Sequence, residues 1–238
     1  MKFSKIAALL SIASLAAFAT PSQASGFTNN LIANSGAEAG VGSTTGGVVV
    51  VPNWLTTGNA TAVAYNAPGG FPLSTDIGPS NRGTNFFAGG ENNAASKLSQ
   101  IIDLGTYAGS INTGHTQYDL SAWLGGYTSQ NDNAVLSVTF RNANNGALGS
   151  AALSPVLAAE RNSQTGFRLH ETTGFIPVGT SNVLVSLDLR RAEGSYNDGY
   201  ADNLSFKVSP VPEPETWAMM VAGFAFLALA RAKKRKQA

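Results

Sequence analysis

Val135-Leu136-Ser137-Val138-Thr139-Phe140 sets Leu136, Val138 and Phe140 on one side of an extended chain and Val135, Ser137 and Thr139 on the other. A period of two marks a strand with one buried face. Val183, Val185, Leu187 and Leu189 repeat the pattern against Leu184, Ser186, Asp188 and Arg190. Leu98 to Leu104, Tyr118 to Leu124, Phe167 to Ile176 and Asn203 to Val208 are further strand candidates. Gly125-Gly126, Asn144-Asn145-Gly146 and the run Gly194 to Gly199 read as breaks between them, and Asn145-Gly146 is a good turn signal. Helices are expected only as short pieces, around Thr106–Ile111 and Pro155–Glu160. Many strands with frequent turns predict an all-β fold, an antiparallel β-sandwich.

The two ends read differently. Lys2 and Lys5 precede an apolar run from Ile6 to Ala19, and Pro21-Ser22-Gln23-Ala24 supplies small residues of the kind a signal peptidase reads. Residues 1–24 are therefore expected to be a secretory signal helix. At the other end, Thr216–Ala230 carries no charge and is followed by Arg231, Lys233, Lys234, Arg235 and Lys236. As a helix this segment gives roughly 22 Å of apolar rod. That is short for a hydrocarbon core of about 30 Å, but Trp217 and Arg231 can extend its reach at the two interfaces. The cations belong on the cytoplasmic side, with everything before Trp217 outside. The expected division is 1–24 signal peptide, 25–209 sandwich domain and 210–238 sorting segment, the last comprising motif 211–215, transmembrane helix 216–230 and basic tail 231–238.

Val211-Pro212-Glu213-Pro214, followed by Trp217-Ala218-Met219, the apolar helix and the basic end, resembles the PEP-CTERM sorting signal of Gram-negative bacteria. Glu215 departs from the Ser or Ala usual there. The resemblance covers only about the last thirty residues of the chain. It implies processing near the Pro-Glu-Pro motif by an exosortase in the inner membrane of an exopolysaccharide-making bacterium. It also implies transient membrane insertion and delivery to the cell surface or the medium. It does not identify what the exported domain does.

With both ends set aside, the domain has eight cations against twelve acids, a net charge of −4 in place of the formal +1 of the whole chain. No basic stripe interleaved with aromatics is present, which excludes a nucleic-acid partner. Cysteine is absent, so an exported fold must do without disulfides. Abundant Gly, Asn, Ser and Thr suit a β-protein whose turns need positive φ.

Asn30-Leu31-Ile32-Ala33-Asn34-Ser35-Gly36-Ala37-Glu38 opens this domain, and Tyr200-Ala201-Asp202-Asn203-Leu204-Ser205-Phe206 closes it. With Trp54 and the stretch Leu120 to Gly126 between them, it resembles the galactose-binding-like jelly rolls that include many carbohydrate-binding modules. The resemblance implies a jelly roll with a structural calcium where the first and last strands meet, held by Glu38 and Asp202. Backbone carbonyls would have to complete its shell. The alternative is that these carboxylates only cap turn amides.

The aromatics Trp54, Tyr65, Trp123, Tyr127, Tyr196 and Tyr200 are candidates to stack on sugar rings, with packing in the core or at the rim as the alternative for each. Alternation in Tyr118–Leu124 exposes Trp123 beside Asp119 and Ser121 if Leu120, Ala122 and Leu124 are core. Arg141, Arg168, Arg190, Asn131, Asp132 and Asp198 are candidate polar contacts. The loop Ser195-Tyr196-Asn197-Asp198-Gly199-Tyr200 is the leading site element. The candidate saccharide set is thus Trp123, Tyr127, Tyr196, Asn197, Asp198 and Tyr200. Catalytic signatures are missing: His115 and His170 form no metal pattern, and there is no nucleophile elbow or phosphate loop. His170 is expected on the solvent side of its strand. Asp198 and Asp202 read as turn and ion ligands before they read as a glycosidase pair. The expected function is a non-enzymatic exported protein that binds extracellular polysaccharide. The alternatives are a structural or adhesive biofilm-matrix protein and, third, a polysaccharide hydrolase.

Overall fold

The computed structural model describes residues 27–210 and 220–227. Ten strands form two antiparallel sheets: β1 (Leu55–Thr57), β2 (Thr61–Ala64), β3 (Asn85–Glu91), β4 (Ala95–Asp103), β5 (Thr116–Gly126), β6 (Asn133–Arg141), β7 (Ala147–Ala152), β8 (Gly166–Phe175), β9 (Asn182–Arg190) and β10 (Tyr196–Pro210). One sheet has the order β1-β4-β9-β6-β7 and the other β2-β3-β10-β5-β8. Only β2–β3 and β6–β7 follow one another within a sheet; every other connection crosses the sandwich.

The alternating stretches lie where their pattern requires. Leu136, Val138 and Phe140 of β6 and Val183, Val185, Leu187 and Leu189 of β9 are buried. Opposite them the second sheet contributes Phe87, Leu120, Ala122, Leu124, Ala201, Leu204, Phe206 and Val208 to the same core. Burying each large side chain there is worth about 1.5–3 kcal/mol. Asn145 takes the left-handed conformation (φ 61) in the β6–β7 turn, which is closed by Asn142 N donating to Gly146 O at 2.9 Å.

The residues that open and close the domain lie side by side. Thr28 N and Leu31 N donate to Val208 O and Phe206 O, and Leu204 N donates to Ser35 O. Asn30 fixes the register: its Nδ2 donates to Leu204 O and its Oδ1 accepts from Phe206 N.

Several expectations need correction. Around Thr106–Ile111 there is the expected short helical piece, a 3-10 turn at Gly105–Tyr107 leading into α1 (Ala108–Ile111). Pro155–Glu160 forms no helix. The chain there has no regular structure up to Leu157 and then turns from Ala158 to Ser163, with Asn162 and Ser163 at positive φ. Gly125-Gly126 is the end of β5, not a break. It can be glycine only: a Cβ at Gly125 would lie 2.1 Å from Gly166 O. Tyr196–Gly199 likewise belongs to β10, which carries register shifts between Asn197 and Tyr200 and between Asp202 and Ser205.

The signal segment 1–24, the motif Val211, Pro212, Glu213, Pro214 and the basic tail lie outside the described residues. Of the apolar segment, residues 220–227 are helical and exposed. No helix among the described residues is long and apolar enough to cross a membrane.

Candidate functional site

The outward face of the second sheet carries its own aromatic cluster. Phe86 and Ala88 of β3, Tyr200 of β10 and Phe167 of β8 point away from the main core. The long segment between β2 and β3 folds over them and adds Tyr65, Ala67 and Phe71. Phe86 is the hub, with ring centroids 5.1 Å from Tyr65, 5.2 Å from Tyr200 and 5.9 Å from Phe167. Trp123, Tyr127 and Tyr196 pack half-buried around this cluster. Phe71 meets the Tyr196 ring edge-on at 5.2 Å.

At the margin of this cluster lies a cleft of about 280 Å³ lined by Thr45, Pro68, Gly69, Phe71, Tyr127, Tyr196 and Asp198. Three of the sequence candidates, Tyr127, Tyr196 and Asp198, thus meet in one cavity. Glycines shape its walls. The Tyr127 ring lies against Gly70, where a Cβ would come within 2.6 Å of it, and Gly46 (φ 83) admits the Phe71 ring. Tyr196 is anchored by its hydroxyl, which donates to Gly46 O at 2.9 Å.

Asp198 is 9% exposed, and its Oδ1 accepts the Tyr200 hydroxyl. Among the described residues nothing donates to its Oδ2. Burial pushes this carboxyl up to about 6; the Tyr200 hydrogen bond opposes the shift, Asp132 adds to it and Arg161 offsets it. Behind it, fully buried Asp132 accepts from Ala192 N (2.7 Å), Glu193 N (2.9 Å) and Asp198 N (2.8 Å). Arg161, which composition gave no reason to single out, is 1% exposed. It ties the end of β5 to the following turns by donating to Gly126 O, Thr128 O, Gln130 O and Gln164 O. Burial holds its guanidinium below its usual range.

The other saccharide candidates are placed differently. Asn197 and Tyr200 are fully buried, so neither offers a face to solvent. Asn197 Nδ2 donates to Leu189 O, and its Oδ1 accepts from Gly199 N. Trp54 is core, edge-on to Phe87 at 5.7 Å. Trp123 is half-buried on the outward face with Ser121 and Asp119, as its alternation indicates. Asp132 is a buried acceptor and not a surface contact. Thr45, Pro68, Gly69 and Phe71 also line the cleft and carry no sequence signal that singles them out.

Glu38 and Asp202 do converge. Glu38 Oε1 accepts from Thr84 N (3.0 Å) and Asn85 N (2.8 Å), and Oε2 accepts from Thr84 Oγ1 (2.7 Å). Asp202, fully buried, accepts from Tyr65 OH at 2.7 Å and Asn203 N at 2.6 Å. Burial pushes the Asp202 carboxyl up to about 8; the Tyr65 and Asn203 donors oppose the shift, and the negative charge of Glu38 adds to it. A Cβ at Gly36 would stand 3.2 Å from Asn203 Oδ1 and 3.5 Å from Asp202 Oδ1, with Glu38 Cγ at 3.7 Å. The space left by Gly36 is thus bordered by two side-chain oxygens, Asn203 Oδ1 and Asp202 Oδ1, and by the Glu38 stem, whose carboxylate is turned to Thr84 and Asn85. Among the described residues no group of three or more His, Cys, Asp or Glu side chains gathers as a metal site.

A second cleft of about 420 Å³ is lined by Ala152, Leu153, Ser154, Leu169, His170, Glu171 and Thr172. His170 is not on an open face there: its Nδ1 lies 2.9 Å from Ser154 O and its Nε2 2.6 Å from Glu160 Oε1. Both ring nitrogens are engaged.

Neither a family model nor a curated relative matches the chain. Among solved structures the chain is similar to the Stig cyclase Fisc from Fischerella sp. TAU, determined in complex with (3Z)-3-(1-methyl-2-pyrrolidinylidene)-3H-indole. That match has 13% identity and a TM-score of 0.55 and covers 79% of this chain and 100% of the cyclase. A second similarity, to the enzymatically active domain of bacteriophage CBA120 tailspike protein 4, has 16% identity and a TM-score of 0.45. It covers 74% of this chain but only 21% of the tailspike chain, so the chain spans about a fifth of that protein. A third is the C-terminal family 22 carbohydrate-binding module of Clostridium thermocellum Xyn10B, at 9% identity and a TM-score of 0.44, covering 76% and 96% of the two chains. The cyclase likeness shows a shared sandwich fold, and fold alone assigns no activity.

Proposed function

We propose that this chain is an exported, non-enzymatic protein whose sandwich binds extracellular polysaccharide in the cleft between Tyr127, Tyr196 and Asp198. The observation that carries the reading is the meeting, in a single cavity, of two half-buried tyrosine rings and the Asp198 carboxyl, one oxygen of which is taken by Tyr200. Rings offer apolar faces to sugar C–H groups, while a carboxylate accepts their hydroxyls. A jelly-roll domain spanning 25–209 would present this cleft outside the cell. Export would run through signal peptidase at residues 1–24 and an exosortase at Val211–Glu215, with transient insertion through 216–230.

A structural calcium belongs to the same reading. Asn203 Oδ1 and Asp202 Oδ1 border the space at Gly36, and oxygen donors suit a hard cation. Glu38 and Asp202 would hold it, with the Asn203 amide and backbone carbonyls completing the shell. Its contribution would be to neutralise two neighbouring carboxylates and pin residues 30–38 to β10. A second reading, a matrix protein acting by self-association, draws on the sheet edge formed by β8, where Leu169 and Phe175 are 48% and 57% exposed.

A glycan array probed with residues 25–210 separates the two. Saturable glycan binding is the expected result. No glycan binding, with concentration-dependent assembly in light scattering, would replace the saccharide reading by the matrix one.

A further inference from the structure

We propose that the cleft selects a sugar that carries a free ammonium group, seated against the Asp198 carboxylate and enclosed by Phe71, Tyr127 and Tyr196. The inference rests on reading the cleft as a saccharide site and names the class of sugar. Three of its seven lining residues are aromatic, one is a carboxylate and none is a cation. An ammonium is attracted to ring faces within about 6 Å, and most strongly where water is excluded. Asp198 supplies the countercharge, with Oδ2 left over after Tyr200 takes Oδ1.

The surroundings add to this bias. Asp132 lies behind Asp198, and Glu91 contributes negative charge near Tyr196. Arg161 is the cation near this group, but it is buried and aims its guanidinium at four backbone carbonyls. A uronic acid would meet a like charge here, and an N-acetylated or neutral sugar would offer the carboxylate hydrogen-bond donors but no countercharge. An ammonium beside Asp198 instead favours its ionised form. Because the free carboxyl titrates near 6, cation binding should expel a proton just below neutrality. The volume, about 280 Å³, fits one sugar residue and not a long chain segment.

The test is calorimetric titration of the purified protein with β-1,4 oligomers of glucosamine, N-acetylglucosamine and glucose. Near neutral pH the glucosamine oligomer is expected to bind at least about tenfold more tightly than the other two. Its affinity should fall on both sides of a bell-shaped pH profile, the acid limb set by Asp198 and the alkaline limb by the amine. D198N should abolish the preference and the acid limb. Y127A, which leaves the charge in place, should weaken binding of the glucosamine oligomer and keeps the test open if D198N does not fold. Equal affinity for all three, a preference for the acetylated oligomer, or a preference that survives in D198N overturns the ammonium inference and leaves the polysaccharide reading standing. Binding of none of them overturns the ammonium inference, and the glycan array then decides whether the polysaccharide reading falls with it.

Discussion

The Tyr200 hydroxyl donates to the Asp198 carboxylate from two residues along the same strand, across the bulge that interrupts the pairing of β10 with β3. This bond is what chiefly opposes the effect of burial on the Asp198 carboxyl. Tyr200→Phe keeps the ring among Phe71, Phe86 and Phe167 and deletes only the donor. The Asp198 carboxyl should then titrate above about 6, read from its carbon resonance in an NMR pH titration. Losing a buried bond to a charged group should cost about 1–3 kcal/mol in denaturant unfolding.

Asp202 predicts a stability profile with an unusual slope. Its folded value of about 8 lies far above the value of about 4 expected in the unfolded chain. Between those values the folded protein holds a proton that the unfolded chain has lost, so this group makes metal-free stability fall as pH rises from about 4 to about 8. Asp202→Asn should flatten that limb and raise the melting temperature at pH about 8. If calcium binds there, the ion should stabilise the native chain by about 2.7 kcal/mol at a hundredfold excess over Kd. For a domain of this size that is roughly 5–10 °C. The same addition should not move the Asp202→Asn variant, and a native melting temperature indifferent to both calcium and EDTA removes the ion from the account.

Phe86 tests whether the outward aromatic cluster is a true second core. It is fully buried and touches Tyr65, Phe71, Phe167 and Tyr200. Phe86→Ala should cost about 3–5 kcal/mol in chemical unfolding. A loss below about 1 kcal/mol would mean that the segment over β3 is loosely seated.

Gly90 tests the close packing of β3 on the turn before β2. It has φ 87, and a Cβ there would fall 1.8 Å from Asn59 O. Gly90→Ala should destabilise by at least about 2 kcal/mol, from strain together with displacement of a backbone carbonyl. Unfolding midpoints of the two proteins measure it.

Much of the sandwich was legible because its strands have one wet face. β4, β5, β6, β8, β9 and the later part of β10 all announce themselves by alternation. β3 does not, because Asn85 to Gly90 is buried on both sides, by the main core and by the aromatic cluster. Covering both faces erases the period of two. β7 gives almost no apolar signal, because apart from the exposed Leu148 its side chains are only Ala, Gly and Ser. The site was legible in part. Tyr127, Tyr196 and Asp198 were singled out and lie together, but Asn-Asp-Gly at 197–199 looked like a turn and is a bulged strand. A turn would leave Asn197 and Tyr200 on the surface, whereas the bulged strand buries both. The proximity of Glu38 to Asp202 came from resemblance, since local spacing cannot reveal a contact across the whole chain. The cleft wall at Pro68–Phe71 was invisible because its role depends on folding back over β3.

The most direct test of the saccharide reading is where a bound sugar perturbs the protein. Amide and side-chain chemical shifts of the sandwich domain, titrated with the tightest-binding oligosaccharide, should move most at Tyr127, Tyr196, Asp198 and the 68–71 turn. Saturable shifts confined to another face, such as the cleft at Ser154 and His170, with the Asp198 cleft silent, would contradict it.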